Sequence, residues 1–298
     1  MIDPFGDSSE KLPARYRYFD VTSLFSWPYR QVVRILYPTP IRPEAVVLMS
    51  LLAGLVSAYF YSVGGYLYVL LGAFFIYVKN LLDTVDGHLA RARMQVSRVG
   101  RFIDSLSDFV VFVFLMLGVA TGLLRTGYST SLIWLAIPAT LSLFLQCSLF
   151  NYYLVTYVRR IDAQFPARTR ETLGENESPL LGALKYFYAI TYGWQDFLVE
   201  KIDAVSRNWA NRSDEPGSFE LSEVGWYNHR AFLTAESVLC FGTQIGFLVL
   251  CSIFNRLDLF VVLMVTVWNI YAIGLMMVRI LFFRGLRRLR HDVSHPEV

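Results

Sequence analysis

Leu82-Asp83-Thr84-Val85-Asp86-Gly87-His88-Leu89-Ala90-Arg91 closes one long apolar run, and Gly100-Arg101-Phe102-Ile103-Asp104-Ser105-Leu106-Ser107-Asp108 opens the next. Four aspartates therefore stand in two stretches whose other residues suit hydrocarbon. An ionised Asp near the middle of a spanning helix costs roughly 2.5–3.5 kcal/mol on insertion scales, so four together demand a compensating partner. On a helix Asp83 and Asp86 are three residues apart and Asp104 and Asp108 four, which puts each pair on one face. Where the two faces meet, four carboxylates converge.

Outward from this stretch the chain is built for a bilayer. Hydrophobic residues make up 55% and charged residues 17% of the 298, more apolar side chains than a soluble core of this size would bury. Six runs reach the length of about 20 apolar residues that a spanning helix needs. They lie at about 44–62, 66–90, 102–124, 131–157, 231–254 and 259–282. The expected fold is an all-α membrane protein with six transmembrane helices. The turns joining spans one to two, three to four and five to six hold few charges: none in Tyr61 to Tyr66, Arg125 alone, then Arg256 and Asp258. The opposite side collects Arg15, Arg17, Arg30, Arg34 and Arg42, then Arg91, Arg93, Arg98 and Arg101, then Arg284, Arg287, Arg288 and Arg290. By the positive-inside bias both termini face the cytoplasm, and so do the aspartates, in a multi-pass protein of the cell (inner) membrane. A net charge of +3, gathered at span ends, does not imply a nucleic-acid partner. Cys147, Cys240 and Cys251 form no CxxC pair and have no histidines at ligand spacing, which argues against zinc or a disulfide framework.

The organisation expected is a cytoplasmic segment at 1–43, a six-helix membrane domain at 44–283, and a basic tail at 284–298. Residues 20–37 mix Val21, Leu24, Phe25, Trp27, Val32, Val33, Ile35 and Leu36 with Arg30 and Arg34, the pattern of an amphipathic helix in the cytoplasmic interface. Met1 to Arg17 is polar and lacks the apolar region of a secretory leader, so no cleaved targeting segment is expected. A cytoplasmic insertion at 159–230 is punctuated by Pro166, Gly174, Pro179 and the Asn211 to Gly217 run. One interfacial helix is expected within it at about 180–208, seated at headgroup depth by Tyr186, Phe187, Tyr188, Tyr192, Trp194 and Phe197.

Converged carboxylates repel one another at low dielectric, and divalent cations neutralise them most cheaply. Oxygen-only ligation selects Mg²⁺, Mn²⁺ or Ca²⁺ over zinc. Two hard cations a few Å apart are a recurring device for displacement at phosphorus, which points to phosphoryl chemistry. Gly87 lies one turn from Asp83 and Ala90 one turn from Asp86, so the acidic stripe is stripped of bulk, for a ligand or for a neighbouring helix. Arg91 follows at the helix end, placed to meet phosphate.

The order Asp83-x-x-Asp86-Gly87-x-x-Ala90-Arg91, eight residues, Gly100-x-x-x-Asp104-x-x-x-Asp108 resembles, at every fixed position, the signature of the CDP-alcohol phosphotransferase (CDP-alcohol phosphatidyltransferase) family. The resemblance implies a six-span fold with an N-terminal amphipathic helix, a homodimer, and an enzyme of phospholipid biosynthesis (EC 2.7.8 type). In that reaction the hydroxyl of an acceptor alcohol attacks a CDP-linked lipid or alcohol donor, and CMP leaves. It also implies two Mg²⁺ or Mn²⁺ ions per site. Asp83, Asp86 and Asp104 would be metal ligands, Asp108 a metal contact and the general base, and Asp83, Gly87, Ala90, Arg91 and Gly100 donor-binding residues. Asp108 suits the base because it lies deepest along its span, where an acceptor entering between helices could reach it. A departure stands before the first span, where Arg42-Pro43-Glu44-Ala45-Val46-Val47 replaces the Thr-Pro-Asn-x-x-Thr type of segment common in the family.

The acceptor is not specified. Arg159, Arg160 and Arg230 could bind an acceptor phosphate, or could simply satisfy topology. Glu236, two turns into the fifth span, could order acceptor hydroxyls or make a helix contact, and His229 reads as an interfacial histidine. A donor other than CDP-diacylglycerol fits the same pattern. A divalent-metal transporter would instead spread its acids through the depth of the bundle, whereas these cluster at one end.

Overall fold

In hydrocarbon each backbone N–H and C=O must be satisfied within its own segment, which a helix does without a partner. The computed structural model describes residues 12, 14–25, 27–162, 178–211 and 223–294. Among the described residues the regular structure is helical throughout, with no strand. The punctuation expected at Pro166, Gly174 and through most of the Asn211 to Gly217 run lies outside them, as do the side chains of Arg287, Arg288 and Arg290.

Short 3₁₀ turns at Ala14–Tyr16 and Val21–Phe25 lead into α1, Tyr29–Leu36. Then come α2, Pro43–Val63, α3, Tyr66–Ala92, α4, Arg98–Arg125, α5, Thr130–Trp134, and α6, Ala136–Ile161. Helix α7, Pro179–Tyr188, passes through a π-helical turn at Ala189–Gly193 into α8, Trp194–Asn211. The chain continues with α9, Glu223–Tyr227, α10, Arg230–Glu236, a 3₁₀ turn at Ser237–Leu239, α11, Phe241–Ile253, α12, Leu257–Val265, and α13, Val267–Ser294.

Among the described residues, five stretches are long and apolar enough to cross a membrane: Pro43–Val63, Tyr66–Ala92, Arg98–Arg125, Thr130–Ile161 and Leu257–Leu286. A sixth, Arg230–Leu239 with Phe241–Ile253, is bent by 46°. The bend has a local cause. Cys240 takes an extended conformation (φ −76°, ψ 154°) and interrupts the helical ladder. Side chains donate to carbonyls on either side of the break: Thr243 Oγ1 to Ser237 O, which also accepts from the Cys240 N–H, at 3.0 Å, and Gln244 Nε2 to Leu239 O, at 3.2 Å. That is how a break is tolerated at membrane depth. The N-terminal segment docks on the same break, with the Val21 N–H donating to Ser237 Oγ at 3.0 Å.

Helix α2 packs on both α3 and α4 and sets how closely they approach. A Cβ on Gly118 would strike the Ala58 carbonyl oxygen and one on Gly122 the Tyr61 carbonyl oxygen. Gly118-x-x-x-Gly122 is thus the small-residue stripe that lets two backbones meet in lipid. On the other flank Ser57 Oγ donates to Gly72 O at 2.7 Å. A second half of the molecule, α6, α8 to α10 and α13, gathers round Tyr153, Trp226, Leu233 and Ile280. Amide side chains within the spans join α11, α6 and α13. Gln244 Nε2 donates to Gln146 Oε1, Gln146 Nε2 to Asn269 Oδ1 and Asn269 Nδ2 to Ser142 Oγ, at 2.9, 2.9 and 2.8 Å.

Two expectations need correction. Residues 20–37 are not one amphipathic helix. Pro28, which lacks an N–H and disfavours helix at Trp27, separates the turn at Val21–Phe25 from α1. Helix α1 still buries Val33 and exposes Arg30, Arg34 and Ile35. The helix expected at 180–208 runs from Pro179 to Asn211, and only part of its aromatic set faces outward. Tyr186, Phe187, Trp194 and Phe197 are exposed, whereas Tyr188 and Tyr192 are buried against α4, the latter donating to Ser105 O at 2.9 Å. The extra residue in the π turn changes which face is presented.

Candidate metal and phosphate site

The last turns of α3 and the first turns of α4 carry every charged residue of the motif. Ser97 caps α4: its Oγ accepts from the Gly100 N–H at 2.9 Å and donates to Glu44 Oε1 at 3.2 Å. A Cβ at Gly100 would lie 2.8 Å from that oxygen. Glu44, where the family pattern departs, thereby ties the first turn of α2 to the start of α4. Arg93, just beyond α3, donates to the carbonyls of Leu36, Tyr37, Thr39 and Ile41 and pins the α1–α2 connection over the site's edge. Tyr29 packs on His88 with ring centroids 4.3 Å apart and the planes tilted by 32°.

Carboxylate oxygens of Asp83, Asp104 and Asp108 lie within 4.8 Å of one another, all three residues partly buried. Asp86 is outside that trio. It is buried, its Oδ2 has no hydrogen-bond partner among the described residues, and it lies near enough to Asp104, Asp83 and Asp108 to feel their charge. Oxygens bound to one Mg²⁺, Mn²⁺ or Ca²⁺ at roughly 2.0–2.6 Å are themselves a few Å apart, so this donor set fits a hard divalent cation. The buried, unpaired Asp86 oxygen is a further donor of the same kind.

Lys79 is the charged residue that sequence reasoning passed over. Its Nζ lies 2.9 Å from Asp83 Oδ1 and in close contact with Asp108 Oδ1, and its side chain is 2% exposed, against 32% for Asp83 and 16% for Asp108. The signal was available, because Lys79 precedes Asp83 by one helical turn in an otherwise apolar run. Gly87 makes room for another cation. A Cβ there would lie 3.3 Å from Arg91 Nη1, so the guanidinium folds back across the bare stripe. Ala90 is half-buried on the same helix.

The residues considered for the acceptor lie on other elements, Arg159 and Arg160 on α6 and Arg230 and Glu236 on α10. Glu236 is fully buried and its Oε1 pairs with Arg279 Nη2 at 2.9 Å, linking α10 to α13. The Arg279 guanidinium sits over Tyr153 and Phe232, at 3.8 and 4.8 Å from the ring centroids. Of the two readings of Glu236, this is the helix contact. Arg160 lies over the Tyr227 ring, Arg230 is exposed and meets the Arg15 carbonyl, and Arg159 is exposed. His229 packs among Phe232, Phe282 and Phe283.

A second unforeseen charged residue, Asp203 on α8, is fully buried. It accepts from Tyr152, Tyr153, Trp226 and Tyr227 at 3.2, 2.7, 2.8 and 2.5 Å and pairs with Arg207 at 3.2 Å. Burial and this carboxylate push the Tyr227 hydroxyl well above the ordinary tyrosine range. The cluster anchors α8 and α9 to α6, so these described helices of the insertion are part of the packed body.

A family model described as CDP-alcohol phosphatidyltransferase matches residues 41–190. The chain is also similar to the inner membrane protein YnjF of Escherichia coli (strain K12), at 33% identity over 88 residues, covering 30% of this chain and 41% of that protein. The match thus spans about two fifths of that relative's length. The apolar helices and this relative agree on a multi-pass membrane protein. The segment matched by the family model contains all four aspartates with the helices that carry them, and the chain belongs to the CDP-alcohol phosphatidyltransferase family, a family of transferases.

Proposed function

We propose that this chain transfers a phospho-alcohol group, phosphatidyl in the first instance, from a CDP-activated donor to the hydroxyl of an acceptor alcohol, releasing CMP. The observation that carries the reading is the convergence of Asp83, Asp104 and Asp108 within 4.8 Å, in the segment that matches the family. When bound by these residues and Asp86, two Mg²⁺ or Mn²⁺ ions would draw charge from the phosphoryl oxygens and hold the departing phosphate.

The acceptor oxygen bonds to the phosphorus bearing the donor alcohol, the bond from that phosphorus to the CMP oxygen breaks, and the acceptor proton passes to a carboxylate. Asp108 is assigned that proton, since it lies deepest on α4 and keeps partial exposure. Arg91, folded over Gly87 at the end of α3, is assigned to the donor diphosphate as a charge-assisted donor. Ala90 and Gly100 leave the donor's path free of bulk, and Arg159, Arg160 and Arg230 remain candidates for an acceptor phosphate. Arginines at the end of α3, the start of α4 and along α1 support a cytoplasmic position for the site and both termini. Homodimeric assembly in the cell (inner) membrane belongs to the same reading.

The test supplies purified protein with CDP-diacylglycerol, Mn²⁺ or Mg²⁺, and a panel of acceptors: glycerol 3-phosphate, inositol phosphate, serine and neutral polyols. CMP release that depends on one acceptor is expected. A folded protein that releases none with any acceptor and any CDP-linked donor would refute the reading.

A further inference from the structure

Lys79 is one of the most deeply buried charged residues in the molecule, and it sits in the same layer as the acids. It enters from one turn deeper on α3 than Asp83 and meets Asp108, itself one turn deeper on α4 than Asp104. Its ammonium bridges Asp83 Oδ1 and Asp108 Oδ1, and the Phe112 ring lies 5.8 Å beneath it, one turn further into the bilayer. The carboxylates therefore do not face hydrocarbon directly. A cation is built into the floor of the site.

We infer that Lys79 is a positioning residue that does two things: it holds Asp108 in place, and it limits how tightly the four aspartates bind divalent cations. The inference rests on the metal-site reading above. Four carboxylates without a counter-ion would bind a divalent ion tightly and repel one another strongly without it. With an ammonium in their midst the charge offered to metal falls from four negative to three, and the site stays folded whether metal is bound or not. The ammonium also fixes one oxygen of Asp108, which restrains the carboxylate assigned to the acceptor proton. A neutral side chain at 79 should thus raise metal affinity and lower turnover together, a pairing that a purely structural residue does not give.

The experiment measures Mn²⁺ binding to the purified, metal-stripped protein by electron paramagnetic resonance, together with thermal unfolding in EDTA and in Mn²⁺. The proteins compared are wild type, Lys79→Met, Lys79→Arg and Asp83→Asn. Lys79→Met is expected to bind Mn²⁺ about tenfold or more tightly than wild type, to melt lower in EDTA, and to gain more from Mn²⁺. Lys79→Arg should stay near wild type in affinity, and kcat should fall in Lys79→Met. Should Lys79→Met not survive extraction in EDTA, it is purified in Mn²⁺ and its affinity read by EDTA competition. Failure to recover it in Mn²⁺ as well overturns the inference, because metal should replace the ammonium. Unchanged or weaker Mn²⁺ binding by Lys79→Met, or equal tightening in Lys79→Arg, overturns it while leaving the metal site standing, provided wild type binds and Asp83→Asn does not. Absence of binding to every protein refutes the metal site and this inference with it.

Discussion

Asp108 and Asp83 both touch the ammonium of Lys79, yet they differ in exposure, Asp108 being the less exposed. Their substitutions should separate binding from proton transfer. Asp108→Asn keeps the shape and removes the base, so transfer should fall by about 100-fold or more, the scale of general-base catalysis, while donor affinity largely persists. Asp83→Asn removes a ligand from the trio and should lose both, as read by CDP-donor binding beside CMP release. Equal loss of donor binding in the two variants would contradict the assignment of the base. Glu44 makes a related point about residues. By sequence it was a departure from the family pattern, whereas in the structure it accepts from the Ser97 hydroxyl that caps α4.

The helices that hold the site depend on one close approach, α2 against α4. Gly122→Val would drive a branched side chain into the Tyr61 carbonyl, which cannot yield as a side-chain tip does. A loss of about 1–3 kcal/mol is expected from such overpacking, seen as a lower melting temperature and a loss of transfer. Wild-type stability in this variant would mean that the stripe is not the contact that sets the site. On the other half, Asp203→Ala would orphan donors of Tyr153, Trp226 and Tyr227, each at a cost of about 1–3 kcal/mol. Detachment of α8 should then appear as faster proteolysis within the 159–230 insertion, and an unchanged digestion pattern would show that Asp203 does not hold it. At this scale hydropathy was a good guide to where spans lie, because about 20 apolar residues have one use in a bilayer. It was a poor guide to how they are interrupted. The bend at Cys240 and the π turn at Ala189–Gly193 are settled by which side chains can recover a freed carbonyl, and nothing in apolar spacing reports that.

Across the whole molecule, one half, α2 to α4, carries the acids, and the other, α6 with α8 to α10 and α13, surrounds ion pairs of its own. The convergence of the acids was legible because helical spacing fixes which residues share a face and because charge is too costly in lipid to be idle. The pairings of Glu236 with Arg279 and of Asp203 with its aromatic donors were not, since the partners lie 43 or more residues away (Glu236 to Arg279) or in the insertion, and only tertiary packing brings them together. The four-aspartate centre is proposed to cleave a CDP-linked diphosphate with divalent metal. The most direct test of that proposal is acceptor-dependent CMP release by the purified protein, stripped with EDTA and then titrated with Mn²⁺ or Mg²⁺. No release is expected after stripping, full recovery on adding either ion, and no recovery in Asp83→Asn. Release that persists in EDTA, or that survives Asp83→Asn undiminished, would contradict it.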